Sequence, residues 1–221
     1  MKMMLNDIAL KTGTDKSSSF HNYCKYYERH FESRRLDPIT LIEIGVYHGQ
    51  SIKMWREYFP NATIIGVDID PRYETTFTQD DKTKFVLGDA TKKEVFEKIV
   101  KDFGTPDIVI DDGSHIMSDM KNAFELIYPY LNDNGVYCIE DLGVCGKGGR
   151  RNFYRPGDIS MLDHLGTKVM EDLNLCKKDW TCSNKDKKLD MLKNSTPPLS
   201  VFEKTVYEMH LYTGLAIICK K

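Results

Sequence analysis

The chain has 221 residues, with 31 Lys plus Arg against 33 Asp plus Glu, a formal net charge of −2, and 41% hydrophobic residues. That composition fits one globular domain with a substantial core, and it excludes a protein that grips nucleic acid through bulk positive charge. No run reaches the length of a membrane-spanning helix, and the opening MKMMLNDIAL is broken by Asn6-Asp7, so neither a membrane span nor a signal peptide is expected. The cysteines at 24, 138, 145, 176, 182 and 219 form no CxxC pair, which argues against a zinc ribbon or a thioredoxin-type motif. They read as reduced thiols of a cytoplasmic protein, with Cys138 and Cys219 as fillers inside apolar runs.

Residues 1–38 precede the first strand and carry an aromatic helix from Phe20 to Phe31. Leu41 to Gly45 is a strand ending in glycine, and Ser51 to Tyr58 is a helix. Ala62 to Asp68 and Lys84 to Asp89 are strands that each end in an acid. Thr91 is expected to cap a helix running to Asp102, because its hydroxyl can accept an orphan N–H. Asp107 to Ile110 is a fourth strand, Ser118 to Leu131 a helix, and Val136 to Ile139 a fifth strand. Residues 143–198 are polar and include one helix from Ile159 to Leu173. Thr205 to Leu211, a turn at Tyr212-Thr213-Gly214, and Leu215 to Cys219 read as an antiparallel hairpin. The inner strands are continuous apolar runs, as strands buried on both faces must be. Their alternation with helices predicts a doubly wound, Rossmann-like α/β fold.

Two constellations carry chemistry. The first strand runs into Glu43-Ile44-Gly45-Val46-Tyr47-His48-Gly49-Gln50-Ser51. Gly45 and Gly49 allow a tight turn and close backbone approach. Taken alone they can be mere turn chemistry. Asp68, at the end of the second strand, can accept both hydroxyls of a ribose. Asp89, with Ala90 beside it, is placed for an adenine edge. The spacing is GxxxG rather than GxGxxG, so a pyrophosphate is not expected at the helix N-terminus. The turn and Glu43 suit a cofactor without phosphate and with a cationic amino-acid end, such as S-adenosylmethionine. The second constellation is Asp111-Asp112-Gly113-Ser114-His115 after the fourth strand and Glu140-Asp141 after the fifth. Carboxylates this close repel unless a cation sits among them, and oxygen ligands select a hard ion, Mg²⁺. Asp112, Glu140 and Asp141 are the expected ligands, Asp111 faces the cofactor, and His115 is the general base. The bland alternative makes Asp112 or Ser114 a helix cap and His115 a surface residue, which leaves Glu140-Asp141 unexplained.

The chain resembles the class I S-adenosylmethionine-dependent O-methyltransferases, and among them the metal-dependent sugar enzymes of macrolide and rhamnosyl type. The resemblance rests on Gly13-Thr14-Asp15-Lys16 with His21, Tyr23 and Tyr27, on Glu43-x-Gly45-x-x-x-Gly49-x-Ser51, on Gly66-Val67-Asp68-Ile69-Asp70, and on Ile110 to His115 with Glu140-Asp141. It implies a seven-stranded mixed sheet and a single domain over 1–221. It implies a leader, 1–38, that closes over the cofactor with Thr14, Lys16 and Tyr23. It also implies Mg²⁺ on Asp112, Glu140 and Asp141 and a proton acceptor at His115. Residues 143–198 form an acceptor-side insertion, where Arg150, Arg151, Tyr154 and Arg155 are candidates for contact with a glycan or its carrier. The expected acceptor is a sugar or glycoconjugate, such as a deoxyhexose; assembly into a homo-oligomer stays open. Two other enzyme readings compete. A catechol-type O-methyltransferase would share fold, cofactor and ion. An iron hydroxylase would use His30-Phe31-Glu32 as part of a facial triad. A non-catalytic binding module would leave the base and the acids unexplained, and no Asn-Pro-Pro-Tyr tetrad points to a nucleic-acid base.

Overall fold

A computed structural model describes residues 3–145, 153–167 and 205–221. The helices are α1 (Leu5–Thr12), α2 (Cys24–Phe31), α3 (Gln50–Tyr58), α4 (Lys93–Phe103) and α5 (Met117–Ile127). The strands are β1 (Thr40–Ile44), β2 (Thr63–Asp68), β3 (Thr83–Leu87), β4 (Ile108–Asp111), β5 (Val136–Ile139), β6 (Val206–Tyr212) and β7 (Leu215–Lys220). They form one sheet in the order β3-β2-β1-β4-β5-β7-β6. The first five strands are parallel, and β7 enters antiparallel between β5 and β6. The expected seven-stranded mixed sheet with its C-terminal hairpin is therefore present.

The apolar runs are explained by burial from both sides. On one face Leu41, Ile64, Ile110, Cys138 and Ile217 pack beneath α1, α2 and α3 with Tyr27, Phe31 and Trp55. On the other, Ile42, Val67, Val109, Ile139 and Ile218 pack beneath α4 and α5 with Phe96 and Phe124. Each fully buried aliphatic or aromatic side chain contributes roughly 1.5–3 kcal/mol. Cys138 is a core filler as expected, whereas Cys219 is only half-buried and faces His30.

Several element boundaries differ from the sequence expectations for local reasons. The aromatic helix begins at Cys24, because Asn22 takes a left-handed φ of 58° that no continuous helix admits, and Phe20 stands exposed. Thr91 does not cap α4; its hydroxyl and N–H both donate to Asp89 Oδ1, and the helix starts behind Lys92. The helix expected to reach Leu131 stops at Ile127, and a 3₁₀ turn through Pro129 follows, since proline cannot continue the α-helical hydrogen bonds. In the insertion, residues 161–167 are helical, with Ser160 Oγ accepting from the Asp163 N–H. The helix starts at 161 rather than Ile159; residues 168–173 of the expected helix, and Arg150 and Arg151, lie outside the described residues.

Strand register sets the functional rim. Ile44 pairs with Asp111, and Asp111 with Ile139. The next residues, Gly45, Asp112 and Glu140, therefore end three adjacent strands at one level. Gly45 has φ 88°, and a Cβ there would stand 2.1 Å from the Asp112 carbonyl oxygen. Glycine lets these two strand ends meet. Gly45→Ala should lower stability by about 3 kcal/mol or more, combining left-handed strain with overpacking. Urea unfolding checks this, and an unchanged midpoint would mean that the two tips do not approach so closely.

Candidate active site

The strand order reverses between β1 and β4, which is where open α/β sheets bind ligands. A cleft of about 810 Å³ opens there, a size ordinary for small-molecule sites. Of the residues singled out from sequence, Thr14, Lys16, Gly45, Tyr47, Ser51, Asp68, Asp89, Ala90, Asp111, Asp112, His115 and Asp141 line it. Tyr23, Glu43, Gly49 and Glu140 do not; they stand behind the wall.

One end of the cleft is built by the β1–α3 loop. Asp68 Oδ2 accepts the N–H groups of Val46 (2.8 Å) and Tyr47 (3.3 Å), and Oδ1 accepts that of Asp70 (2.9 Å). These amides, which in a dinucleotide site would meet phosphate, are committed to Asp68. Oδ2 thus has both lone pairs engaged, while Oδ1 keeps one for a hydroxyl donor. Burial alone would push the Asp89 carboxyl up, yet the Thr91 hydroxyl and N–H hold it below its ordinary value. Ile69, Ala90 and Met120 add apolar wall.

The other end is acidic, and strand alternation sorts its carboxylates. Glu43, Asp112 and Glu140 follow Leu41, Ile110 and Cys138 with a spacing of two, so they point to the leader's face of the sheet. Asp111 points to the opposite face, where the Tyr137 hydroxyl donates to it at 3.4 Å; burial pushes its carboxyl up to about 7. Asp141 has φ 55°, which breaks the alternation and turns it back toward Tyr23, whose hydroxyl donates to its Oδ1 at 3.0 Å.

The leader supplies a cation that the local pattern did not reveal. The Lys16 ammonium is almost fully buried, donates to Asp112 Oδ2 and to Glu140 Oε2 (2.9 Å), and lies 3.5 Å from Glu43 Oε1. It takes the position between Asp112 and Glu140 that the sequence assigned to a divalent ion. Tyr27 donates to Glu140 Oε1 at 2.6 Å and Ser51 to Glu43 Oε2 at 2.8 Å. Burial would lower the Lys16 pKa, but Asp112, Glu140 and Glu43 together raise it well above its ordinary value. Burial pushes Glu43 up to about 7, against the pull of Lys16. Burial and the neighbouring Asp112 also push Glu140 well up. One ammonium among three carboxyls leaves negative charge that asks for protons or a second cation.

A metal-sized opening faces the cleft. Ligand atoms of Asp112, His115 and Asp141 all lie within 4.8 Å of one another. His115 Nε2 is 3.9 Å from Asp112 Oδ1 and 3.6 Å from Asp141 Oδ2. His115 holds φ 56°, a strained turn that aims its ring at the acids, and Phe153 of the insertion stands edge-on to it at 6.1 Å. The carboxylate oxygens of Asp112 and Asp141 fit a hard divalent ion, with the His115 ring beside them and Glu140 held back by Lys16 and Tyr27. Arg155 also lines the cleft, but its guanidinium is tied to Asp119 and Ser118 on α5. His30 and Glu32 do not assemble a facial triad among the described residues, which removes the structural basis for the iron reading.

A Methyltransferase domain family matches residues 42–142, the span from β1 to the acids after β5. The chain carries a methyltransferase domain in the class I fold. It is 32% identical, over 80% of its length, to the 8-demethyl-8-(2-methoxy-alpha-L-rhamnosyl)-tetracenomycin-C 3'-O-methyltransferase of Streptomyces olivaceus, covering 46% of that protein. It is 31% identical, over 66% of its length, to the mycinamicin VI 2''-O-methyltransferase of Micromonospora griseorubida, covering 38% of it. The chain thus spans less than half the length of these curated relatives. Among solved structures, the MycE methyltransferase of the mycinamycin biosynthetic pathway, in complex with Mg and SAH, superposes with a TM-score of 0.79 at 25% identity. The superposition covers all of this chain and 55% of that one.

The buried lysine gives a direct test. Lys16→Met strands Glu43, Asp112 and Glu140 without a cation and should cost about 3–5 kcal/mol. Adding Glu140→Gln in the same chain should recover part of that loss. Urea melts of both variants check it; an intact midpoint in Lys16→Met would show that the cluster stands without the ammonium.

Proposed function

We propose that the protein transfers a methyl group from S-adenosylmethionine to a sugar hydroxyl on a glycoconjugate, with Mg²⁺ in the site and His115 as base. The observation that carries this is the convergence of Asp112, His115 and Asp141 at one end of a cleft whose other end presents Asp68 and Asp89. The named sugar O-methyltransferases among the relatives, and the Mg and SAH in the superposed structure, support the same reading.

The cleft fits the donor. Asp68 is placed for the ribose, Asp89 with Ala90 for the adenine, and the Gly45 turn lets the cofactor lie against bare backbone. Asp111 faces it from below, while Thr14 and Tyr47 flank it. Gly49, Glu43 and Tyr23 act from behind: Gly49 opens α3 with φ 70°, Glu43 anchors Ser51 and Lys16, and Tyr23 aims Asp141. Asp112 and Asp141 would hold the ion, with Glu140 as the third carboxylate beside Lys16. When bound, the sulfonium supplies the methyl and its leaving group, and the divalent ion supplies Lewis-acid charge to the acceptor oxygen. His115 Nε2 takes the hydroxyl proton as the new C–O bond forms. Asp112 Oδ1 and Asp141 Oδ2 stand 3.9 Å and 3.6 Å from that nitrogen. In this reading 1–221 is a single domain, 1–38 is the wall over the cofactor, and 143–198 meets the acceptor. The polar, carboxylate-lined mouth favours a sugar over a catechol.

His115→Ala should lower kcat by about 10²–10⁴-fold while S-adenosylhomocysteine binding stays within about twofold of the unaltered protein. Isothermal titration beside a rhamnosylated-acceptor methylation assay checks both. Full turnover in the variant refutes the base, and loss of Mg²⁺ binding instead would make His115 a ligand. Chelation should abolish activity and Mg²⁺ should restore it; activity that survives chelation removes the ion from the proposal.

A further inference from the structure

On the leader's face of the sheet, away from the cleft, His30 of α2, His210 of β6 and Cys219 of β7 bring one ligand atom each within 4.8 Å of the others. The register explains the convergence. His210 pairs with Ile217 and Glu208 with Cys219, so His210 and Cys219 are diagonal neighbours on one face of the hairpin, the face that α2 covers. Stacking of Tyr26 on Tyr212, with ring centroids 3.9 Å apart, seats α2 there and brings His30 over the pair. We propose that His30, His210 and Cys219 form a binding site for a zinc-class divalent cation that fastens α2 to the β6–β7 hairpin.

Geometry and chemistry both support it. Tetrahedral zinc with its usual bond lengths sets sulfur and nitrogen ligands about 3.6 Å apart. Cys219 Sγ and His30 Nδ1 are 3.9 Å apart with no metal present. Both imidazoles also have a further polar partner. Glu208 Oε2 is 2.9 Å from His210 Nε2, and the Tyr212 hydroxyl is 3.4 Å from His30 Nε2. Metal-ligating histidines are oriented by such outer partners. Burial, and the neighbouring His210, lower the His30 pKa, which keeps its imidazole neutral and able to ligate. Burial raises the Cys219 thiol to about 11, so binding releases its proton to solvent as the metal–sulfur bond forms. One thiolate and two imidazoles select zinc or cobalt over magnesium, the reverse of the preference at the acidic cleft. Site and cleft are linked through the leader, because α2 also carries Tyr27, the partner of Glu140.

The test is a Co²⁺ titration of the full chain with excess Mg²⁺ present. The expected result is a thiolate-to-cobalt charge-transfer band that saturates at one equivalent, together with a higher melting temperature. Cys219→Ser should abolish the band and Asp112→Asn should leave it. His210→Ala, on the edge strand, should weaken Co²⁺ binding roughly a hundredfold and serves if Cys219→Ser fails to fold. No band, a band that survives Cys219→Ser, or unchanged affinity in His210→Ala overturns the proposal.

Discussion

A single buried ammonium holds the acidic rim together. Lys16 reaches out of the leader to carboxylates on three parallel strands: Glu43 after β1's midpoint, Asp112 after β4 and Glu140 after β5. Without it these acids would face one another in a dry pocket, where like charges and lost hydration both act against the fold. Tyr27 and Ser51 complete the arrangement by donating to Glu140 and Glu43. The leader is therefore fastened to the sheet by charge as well as by its apolar face. Its position in turn sets where Thr14 and Asp15 meet the cleft.

Backbone strain is gathered at the same place. Of the five non-glycine residues with positive φ among the described residues, Tyr47, His115 and Asp141 border the cleft. Such conformations persist only where the surroundings over-determine them. Here the Asp68 carboxylate holds Tyr47, and the Tyr23 hydroxyl holds Asp141. The strained turns aim an imidazole and a carboxylate at Asp112, so these three groups are preorganised before any ligand arrives.

The two ends of the cleft differ in what their polar groups have left to offer. The amides after β1 are consumed by Asp68, so the loop suits a nucleoside without phosphate rather than a dinucleotide. The acids at the other end are oxygen donors with charge to spare, which suits a hard cation and the hydroxyl it binds. On the leader's face of the sheet, the sulfur and imidazole groups of the hairpin have the opposite preference. One sheet thus carries two sets of candidate ligands with opposite preferences.

Much of this was legible in the chain because it is local. Continuous apolar runs fix strands buried on both faces, and the acids and glycines that end those runs must lie on one rim whatever the details. Gly45, Asp68, Asp89, Asp112 and His115 were found this way, and all line the cleft. Contacts between distant segments were not legible. Lys16 meets Asp112 across 96 positions and Glu140 across 124, and nothing near Lys16 in the sequence marks it as the cation those acids require. Likewise, which acid of each pair turns to the leader depends on strand register, and register is settled by the packing of helices on both faces. Composition and order decided which groups exist and at which edge; only tertiary packing decided which of them share a charge.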